Sequence, residues 1–128
     1  LFQNIVEYAK KINVIDSVLF LGVRNDVPEL LNAIDVFVLT SKYEGLPVTL
    51  VEAQANGVPV VVSDAITDEV RVNDNYYVIS LSNSVSQWAD TIVSIKNKRV
   101  RDVSKLMNKY DIDLLAKNQK KWYMEHGY

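Results

Sequence analysis

The sequence predicts an α/β fold with a doubly wound parallel sheet of the Rossmann-like kind. Runs of consecutive apolar residues at 18–21, 36–39 and 58–62 are typical of strands that are buried on both faces of such a sheet. Segments with helical spacing of apolar residues alternate with these runs, and this alternation favours parallel strands joined by helices. In sheets of this kind ligands bind at the carboxyl ends of the strands, so the loops that follow the strands are the expected place for a site.

Length and composition limit the number of domains, the partners and the kinds of site that the chain can have. The chain has 128 residues, 48% of them hydrophobic and 23% charged, which suffices for one domain or part of one with its own core. Its net charge of −2 predicts no general attraction to nucleic acid. It contains no cysteine, which excludes disulfides and thiolate metal sites and fits a cytoplasmic protein. The chain starts at Leu1 rather than Met, without a signal-peptide pattern or a bilayer-spanning run, so we expect a piece of a longer protein.

The first elements follow from apolar spacing. Residues 1–13 predict an amphipathic helix, and residues 18–21 predict a buried strand that ends at Gly22. Asn25 or Asp26 can cap the next helix, and residues 36–39 then give a second strand that runs into Ser41. The residues expected to face inward on the second helix are Val27, Leu30, Leu31 and Ile34.

The later elements are marked by proline and glycine. Pro47 suits a first helical position, while Gly57 and Pro59 stop a helix, so a helix is predicted over 47–56. A strand over 58–62, a fourth strand over 76–79 and a helix over 84–96 follow. Two more helices are expected over 100–109 and 114–125. The residues expected to face inward are Trp88, Ile92 and Ile95 on the helix over 84–96, and Leu115, Trp122 and Tyr123 on the last helix.

The start of the helix at Pro47 has no evident cap. Leu46 precedes Pro47 and its side chain accepts no hydrogen bond, so the N–H groups of Val48, Thr49 and Leu50 lack a partner. Free N–H groups at the positive end of a helix dipole form an anion site. Gly45, just upstream, would let a ligand approach the backbone closely.

Two carboxylates flank this predicted anion site. Glu44 lies in the loop before the helix, and Glu52 lies on the helix after seven intervening residues. The helix is otherwise apolar or small, so we expect it to be buried on most sides and Glu52 to bind either a structural donor or a ligand. Glu44 has a plainer alternative as a solvated loop residue. The spacing suits a ligand with a phosphate in its middle.

The stretch Glu44-Gly-Leu-Pro-Val-Thr-Leu-Val-Glu52, followed by Gly57-x-Pro59 and Ser63-Asp64, resembles the signature of the retaining group 1 glycosyltransferases with a GT-B fold. The resemblance covers most of the chain, and the region after Ser63 looks like the branch found in capsular and exopolysaccharide biosynthesis. It departs at 65–67, where Ala-Ile-Thr replaces the family's glycines. The resemblance implies that residues 1–128 are a partial donor-binding domain. The acceptor domain and the first part of the donor domain would lie upstream of Leu1.

The resemblance also implies roles for residues. Glu44 would contact the donor sugar as the catalytic residue, and Glu52 would bind the ribose hydroxyls. The diphosphate would contact the backbone of the segment between them, which comprises Gly45, Leu46, Pro47, Val48 and Thr49. Arg24 would lie beside the nucleobase or remain an exposed loop arginine. The donor is then a nucleotide-diphosphate sugar, the acceptor a saccharide or lipid-linked saccharide, and no metal or other cofactor is expected.

Several alternatives stay open. The uncapped helix would equally suit a nucleotide-binding or regulatory module without catalysis. A receiver-type signalling domain would need clustered acidic residues after its first strand, and none is visible. The basic residues Lys96, Lys98, Arg99 and Arg101 form either a solvated helix face or a contact with the inner face of a membrane, where lipid-linked acceptors reside.

Overall fold

A parallel sheet lies at the centre of the computed structural model, which describes residues 2–100, 104 and 109–126. Its strands are β1 (Phe37–Leu39), β2 (Val60–Ser63) and β3 (Tyr76–Ile79), in that order across the sheet. Phe37 pairs with Val60, and Val60 pairs in turn with Tyr76. The predicted mixed α/β fold with a parallel sheet is therefore confirmed. The α-helices in the described ranges are α1 (Phe2–Lys11), α2 (Val27–Ala33), α3 (Val48–Ala55), α4 (Val85–Ile95) and α5 (Ile112–His126).

Strand β2 separates two apolar clusters, one on each face of the sheet. Val60 and Val62 belong to the cluster that includes Leu50 of α3, and Val61 belongs to the cluster that includes Ile95 of α4. All three valines are fully buried, because successive side chains of a strand point to opposite faces and both faces are covered. Helices on both faces are the arrangement that the sequence predicted.

Helix α3 begins and ends where proline and glycine indicate. Pro47 is its N-cap residue and Asn56 its C-cap residue. Gly57 has φ 72°, a left-handed conformation that glycine adopts without steric cost. Gly57 N donates to Gln54 O at 2.9 Å, and Val58 N donates to Ala53 O at 3.0 Å. The helix is therefore closed by the backbone itself, as predicted.

Gln54 is a fully buried polar residue that joins α3 to the loop before β3. Its Nε2 donates to Leu50 O at 2.9 Å and to Val70 O at 2.8 Å. Its Oε1 accepts from Val72 N at 3.0 Å and from Asn73 N at 3.2 Å. Because a buried amide is costly unless it is satisfied, these bonds fix the loop against the helix.

Arg99 binds the carboxyl ends of two helices. Its guanidinium donates to Asn56 O after α3 and to Leu31 O, Asn32 O and Ile34 O at the end of α2, at 2.6–3.1 Å. A cation stabilises the negative end of a helix dipole. Neither open interpretation of the basic run fits Arg99, since it is half-buried and engaged within the fold.

The predicted strand at 18–21 is wrong. Val18 has extended backbone angles, but no described residue pairs with this segment as a strand. Leu19 and Leu21 are 84% and 50% exposed. An apolar run becomes a strand when a neighbouring strand satisfies its backbone, and no strand of the described sheet lies beside it.

Two predicted apolar helix faces remain exposed. In α1 Ala9 is buried, whereas Ile5 is about half exposed, as is Ile12 just after the helix. Helix α5 buries none of its residues, so the expectation that Leu115, Trp122 and Tyr123 face inward is wrong. Trp122 instead stacks on His126, with ring centroids 4.5 Å apart. The predicted inward face of α4 is confirmed, and the helix predicted over 100–109 lies mostly outside the described residues.

Candidate functional site

The carboxyl edge of the sheet gathers the loops after all three strands. Ser41 follows β1, Asp64 follows β2 and Ser80 follows β3. Asp64 N donates to Ile79 O at 3.1 Å, and Asp64 Oδ1 accepts from Leu81 N at 3.1 Å, so the last two loops are tied together. The hydroxyl of Ser80 and the amide of Leu81 hold the pKa of Asp64 below its usual value.

The N-terminus of α3 opens at this edge without a side-chain cap. Pro47 is the N-cap residue and provides no cap from its side chain. Leu50 N donates to Pro47 O at 3.0 Å, so the predicted orphan state of this amide is wrong. Val48 and Thr49 are exposed, and their N–H groups stand at the positive end of the helix. Two amides rather than three are thus available to an anion.

Gly45 leaves space in front of this helix end. A Cβ atom added to Gly45 would meet nothing within 4 Å, and its φ angle is not positive. Neither the backbone conformation nor a described neighbour therefore requires glycine at this position. The missing side chain leaves room on the side from which a ligand would reach the backbone.

Glu44 is held in the loop by a serine. It is half-buried, and its Oε1 accepts a hydrogen bond from Ser41 Oγ at 2.7 Å. Ser41 is bound in turn by Ser63, whose Oγ donates to Ser41 O at 2.5 Å. The alternative of a solvated loop glutamate does not describe this residue, because its carboxylate is oriented by a hydrogen bond.

Glu52 is exposed, which corrects the expectation of a helix buried on most sides. Helix α3 buries Leu50, Ala53 and Gln54, while Val48 on the opposite face is 59% exposed. The helix packs on the sheet, on α2 and on the segment Asp68–Val70, and these contacts cover one side. Val48 and Glu52 are four residues apart, so they share the open face at about 6 Å along the axis. The carboxylate is thus available to a ligand near the helix N-terminus.

Arg24 is paired with Asp26. Its Nε donates to Asp26 Oδ1 at 2.7 Å and its second nitrogen donates to Oδ2 at 2.5 Å, in a bidentate ion pair. The pair raises the pKa of Arg24 and lowers the pKa of Asp26. Asp26 is the N-cap residue of α2 but makes no side-chain cap, so the predicted capping bond is wrong. The carboxylate of Asp26 instead binds Arg24. Within the described chain, Arg24 forms no hydrogen bond to the loop at Glu44.

An apolar cavity lies on the α4 side of the sheet. It has a volume of about 330 Å³ and is lined by Val38, Thr40, Leu81, Asn83, Val85, Trp88 and Ile92. Trp88 Nε1 donates to Ser80 O at 3.3 Å, which holds the indole against the loop after β3. Trp88 is therefore a core residue, as predicted.

Across the described ranges, no three residues among His, Cys, Asp and Glu are grouped so that they could hold a metal ion. None of the helices in those ranges is both long and apolar enough to cross a bilayer.

This geometry defines a class: an α/β domain that presents an uncapped helix N-terminus, flanked by two carboxylates, at the carboxyl edge of a parallel sheet. The chain belongs to a particular family within it. The model of the family described as glycosyl transferases group 1 matches residues 1–112. The resemblance stated from the motif is thereby confirmed at the level of the family.

Several curated proteins are similar to the chain. EpsF of Bacillus subtilis, provisionally named a glycosyltransferase, is 48% identical over 89 residues, which are 69% of this chain and 23% of EpsF. The UDP-Gal:alpha-D-GlcNAc-diphosphoundecaprenol alpha-1,3-galactosyltransferase of Escherichia coli is 32% identical over 113 residues, 82% of this chain and 29% of that enzyme. An N,N'-diacetylbacillosaminyl-diphospho-undecaprenol alpha-1,3-N-acetylgalactosaminyltransferase of Campylobacter jejuni is 53% identical over 45 residues, 35% of this chain and 12% of that enzyme. The chain thus spans less than a third of each of these relatives.

Proposed function

We propose that this chain is the donor-binding portion of a glycosyltransferase that moves a sugar from a nucleotide-diphosphate sugar to a saccharide or lipid-linked acceptor, with retention of configuration. The observation that carries the proposal is the open N-terminus of α3 between Glu44 and Glu52. Two relatives named for transfer to diphospho-undecaprenol acceptors support a role in polysaccharide biosynthesis.

The geometry supports a division of labour among these groups. The diphosphate is proposed to bind the amides of Val48 and Thr49, where the helix dipole favours negative charge. Glu52 is proposed to accept hydrogen bonds from the ribose hydroxyls, one helical turn away from those amides. Glu44 is proposed to meet the transferring sugar, where positive charge develops as the bond to the diphosphate breaks.

Transfer can be tested on the full-length protein that contains this chain. The protein would be incubated with a panel of labelled nucleotide-diphosphate sugars and undecaprenyl-diphosphate saccharides, and the anomeric configuration of the product would be assigned by NMR. We expect label to move from at least one donor with the α-linkage of the donor preserved. Binding of nucleotide sugars without transfer to any acceptor would favour the alternative of a non-catalytic nucleotide-binding module.

Donor binding can be tested separately. Calorimetric titration of the full-length protein with nucleoside diphosphates should show one binding site. Glu52→Ala should weaken binding at that site. Asp90→Ala is the matched control, since Asp90 is an exposed carboxylate on α4. An equal loss in both variants would contradict the placement of the donor on α3.

A further inference from the structure

We propose that Ser63 and Ser41 form a relay that positions the carboxylate of Glu44 for the transfer reaction. The proposal deepens the proposed function and rests on it. It concerns two serines to which the motif assigns no role, one at the end of β2 and one in the loop after β1.

The relay consists of two hydrogen bonds in series. Ser63 Oγ donates to Ser41 O at 2.5 Å across 22 residues of sequence. Ser41 Oγ donates to Glu44 Oε1 at 2.7 Å. The first bond holds the loop against β2, the central strand of the sheet. The second bond fixes the orientation of the Glu44 carboxylate relative to that loop.

Ser63 has a chemical reason to be serine. It follows Val60, Val61 and Val62 in β2 and is as fully buried as they are. A buried hydroxyl without an acceptor is costly, and an apolar residue would suit packing at this position. The acceptor that Ser63 finds is the carbonyl of Ser41, so the hydroxyl serves to hold the loop rather than to fill the core.

The relay leaves one face of the carboxylate for a ligand. Oε1 is occupied by Ser41, and no described residue donates to Oε2. A hydrogen bond to a charged acceptor is stronger and more directional than one between neutral groups, so it restricts rotation of the carboxylate. Reaction rates are sensitive to such placement, because a small displacement from the productive geometry costs much of the rate. Ser41 and Ser63 are therefore positioning residues that act through Glu44.

The experiment compares serine variants in the full-length protein with the donor found active in the transfer assay. Ser41→Ala is expected to lower kcat about ten- to a hundredfold, the range that corresponds to loss of a hydrogen bond to a charged group. KM for the donor and Kd for the nucleoside diphosphate should stay within about twofold. Ser41→Thr, which keeps the hydroxyl at a half-buried position, should retain most of kcat, whereas Ser63→Ala should lower it. Ser86→Ala, a control on the exposed surface of α4, should match the parent protein.

A double-mutant cycle shows whether the serine acts through the glutamate. In the Glu44→Gln background, Ser41→Ala should change kcat by less than about threefold, since the group that it positions is already altered. Full additivity of the two substitutions, or Ser41→Ala with parental kcat, overturns the relay. Equal loss of kcat in Ser41→Ala and Ser41→Thr with parental melting temperatures overturns it as well. Absence of transfer by the parent protein overturns the proposed function, whereas transfer by the parent protein together with any of these results overturns the relay alone.

Discussion

At the residue scale, the two carboxylates of the motif sit in different environments. Glu44 is half-buried and bound by Ser41, while Glu52 is exposed on the open face of α3. The sequence predicts the reverse order of burial, with Glu52 on a helix buried on most sides and Glu44 in a loop that could be solvated. The difference arises because Glu44 is reached by a hydroxyl from its own loop, whereas Glu52 points away from the sheet.

The first prediction separates the roles of these carboxylates. Glu52→Ala should weaken binding of a nucleoside diphosphate by about one to two powers of ten, because it removes charge-assisted hydrogen bonds of roughly 1.5–3 kcal/mol to the ribose. Glu44→Ala should leave that affinity nearly unchanged and lower kcat, because it acts on the sugar that the nucleotide lacks. Calorimetric titration together with steady-state kinetics measures both effects. If Glu44→Ala abolishes nucleotide binding and Glu52→Ala spares it, the assignment is reversed or wrong.

The second prediction concerns Tyr76, at the start of β3. The residue is 4% exposed, and its hydroxyl finds no hydrogen-bond partner among the described residues. Tyr76→Phe removes this unsatisfied group, so the free energy of unfolding at pH 7 should stay equal or rise by about 1 kcal/mol. Urea denaturation measures the change, and Tyr77→Phe on the adjacent residue is the control. A loss above about 1 kcal/mol would show that the hydroxyl has a partner.

The same residue predicts a pH dependence. Burial, with a smaller contribution from Asp68, raises the pKa of Tyr76 to about 12. The folded protein therefore keeps its proton where the unfolded chain, with an ordinary value near 10, has lost it. The contribution to stability is complete below pH 10 and declines as the pH rises from about 10 to 12. The free energy of unfolding, measured by urea denaturation at several pH values between about 10 and 12, should fall more steeply with pH for the parent protein than for Tyr76→Phe.

At the element scale, Arg99 connects helices that are far apart in sequence. Its guanidinium reaches carbonyls at the ends of α2 and α3, which lie 43 to 68 residues upstream. If the guanidinium of Arg99 is removed, several carbonyls at the two helix ends lose their donor. Both helices then lose a stabilising charge at their negative ends.

The third prediction follows from these bonds. Arg99→Ala should lower the free energy of unfolding by about 2 kcal/mol, the scale of hydrogen bonds to a charged group. Arg99→Lys should recover part of that loss, because lysine keeps the charge but cannot span several carbonyls with a planar fork. Lys98→Ala, at an exposed neighbouring position, is the control and should change stability by less than about 0.5 kcal/mol. Equal effects of Arg99→Ala and Lys98→Ala in chemical denaturation would refute the capping role.

Local signals made some elements predictable. Helix α3 carries its own proline and glycine boundaries, and α4 has a capping box in which Ser84 and Gln87 bond reciprocally. The predictions of strands β2 and β3 hold because other strands of the described chain pair with their apolar runs. Residues 18–21 carry the same apolar signal without a neighbour, so the prediction fails there. Sequence patterns do not report pairing over long distances, which is why the hydrogen bonds of Arg99, of Gln54 and of Ser63 to Ser41 were not predicted.

At the scale of the whole molecule, exposed apolar side chains occur at both ends of the described chain, around α1 with the segment that follows it and along α5. Phe2 of α1 and Phe20 of the extended segment pack edge to face, with centroids 5.2 Å apart, yet both are more than a third exposed. Leu19 and Val23 are more exposed still. The motif between Glu44 and Glu52 also exposes apolar side chains, since Leu46 is 49% and Val48 59% exposed beside the two carboxylates.

The fourth prediction concerns metal dependence of the complete protein. Since the amides of α3 and its dipole are proposed to stabilise the leaving diphosphate, we expect sugar transfer by the full-length protein to survive a chelator. The rate measured in excess EDTA should stay within about twofold of the untreated rate. Complete loss of transfer in EDTA, restored by magnesium or manganese, would contradict this expectation.

The two ends of α3 are held very differently. Its carboxyl half is fastened by the buried amide of Gln54, by the turn at Gly57 and by Arg99 on Asn56, while its amino end carries no cap. A helix anchored in this way is preorganised, because its direction is set before any ligand arrives. The conformational entropy of ordering the amides of Val48 and Thr49 is lost during folding and not during association. An anion that binds there therefore keeps more of its interaction free energy as affinity than it would at a loop that must first be ordered.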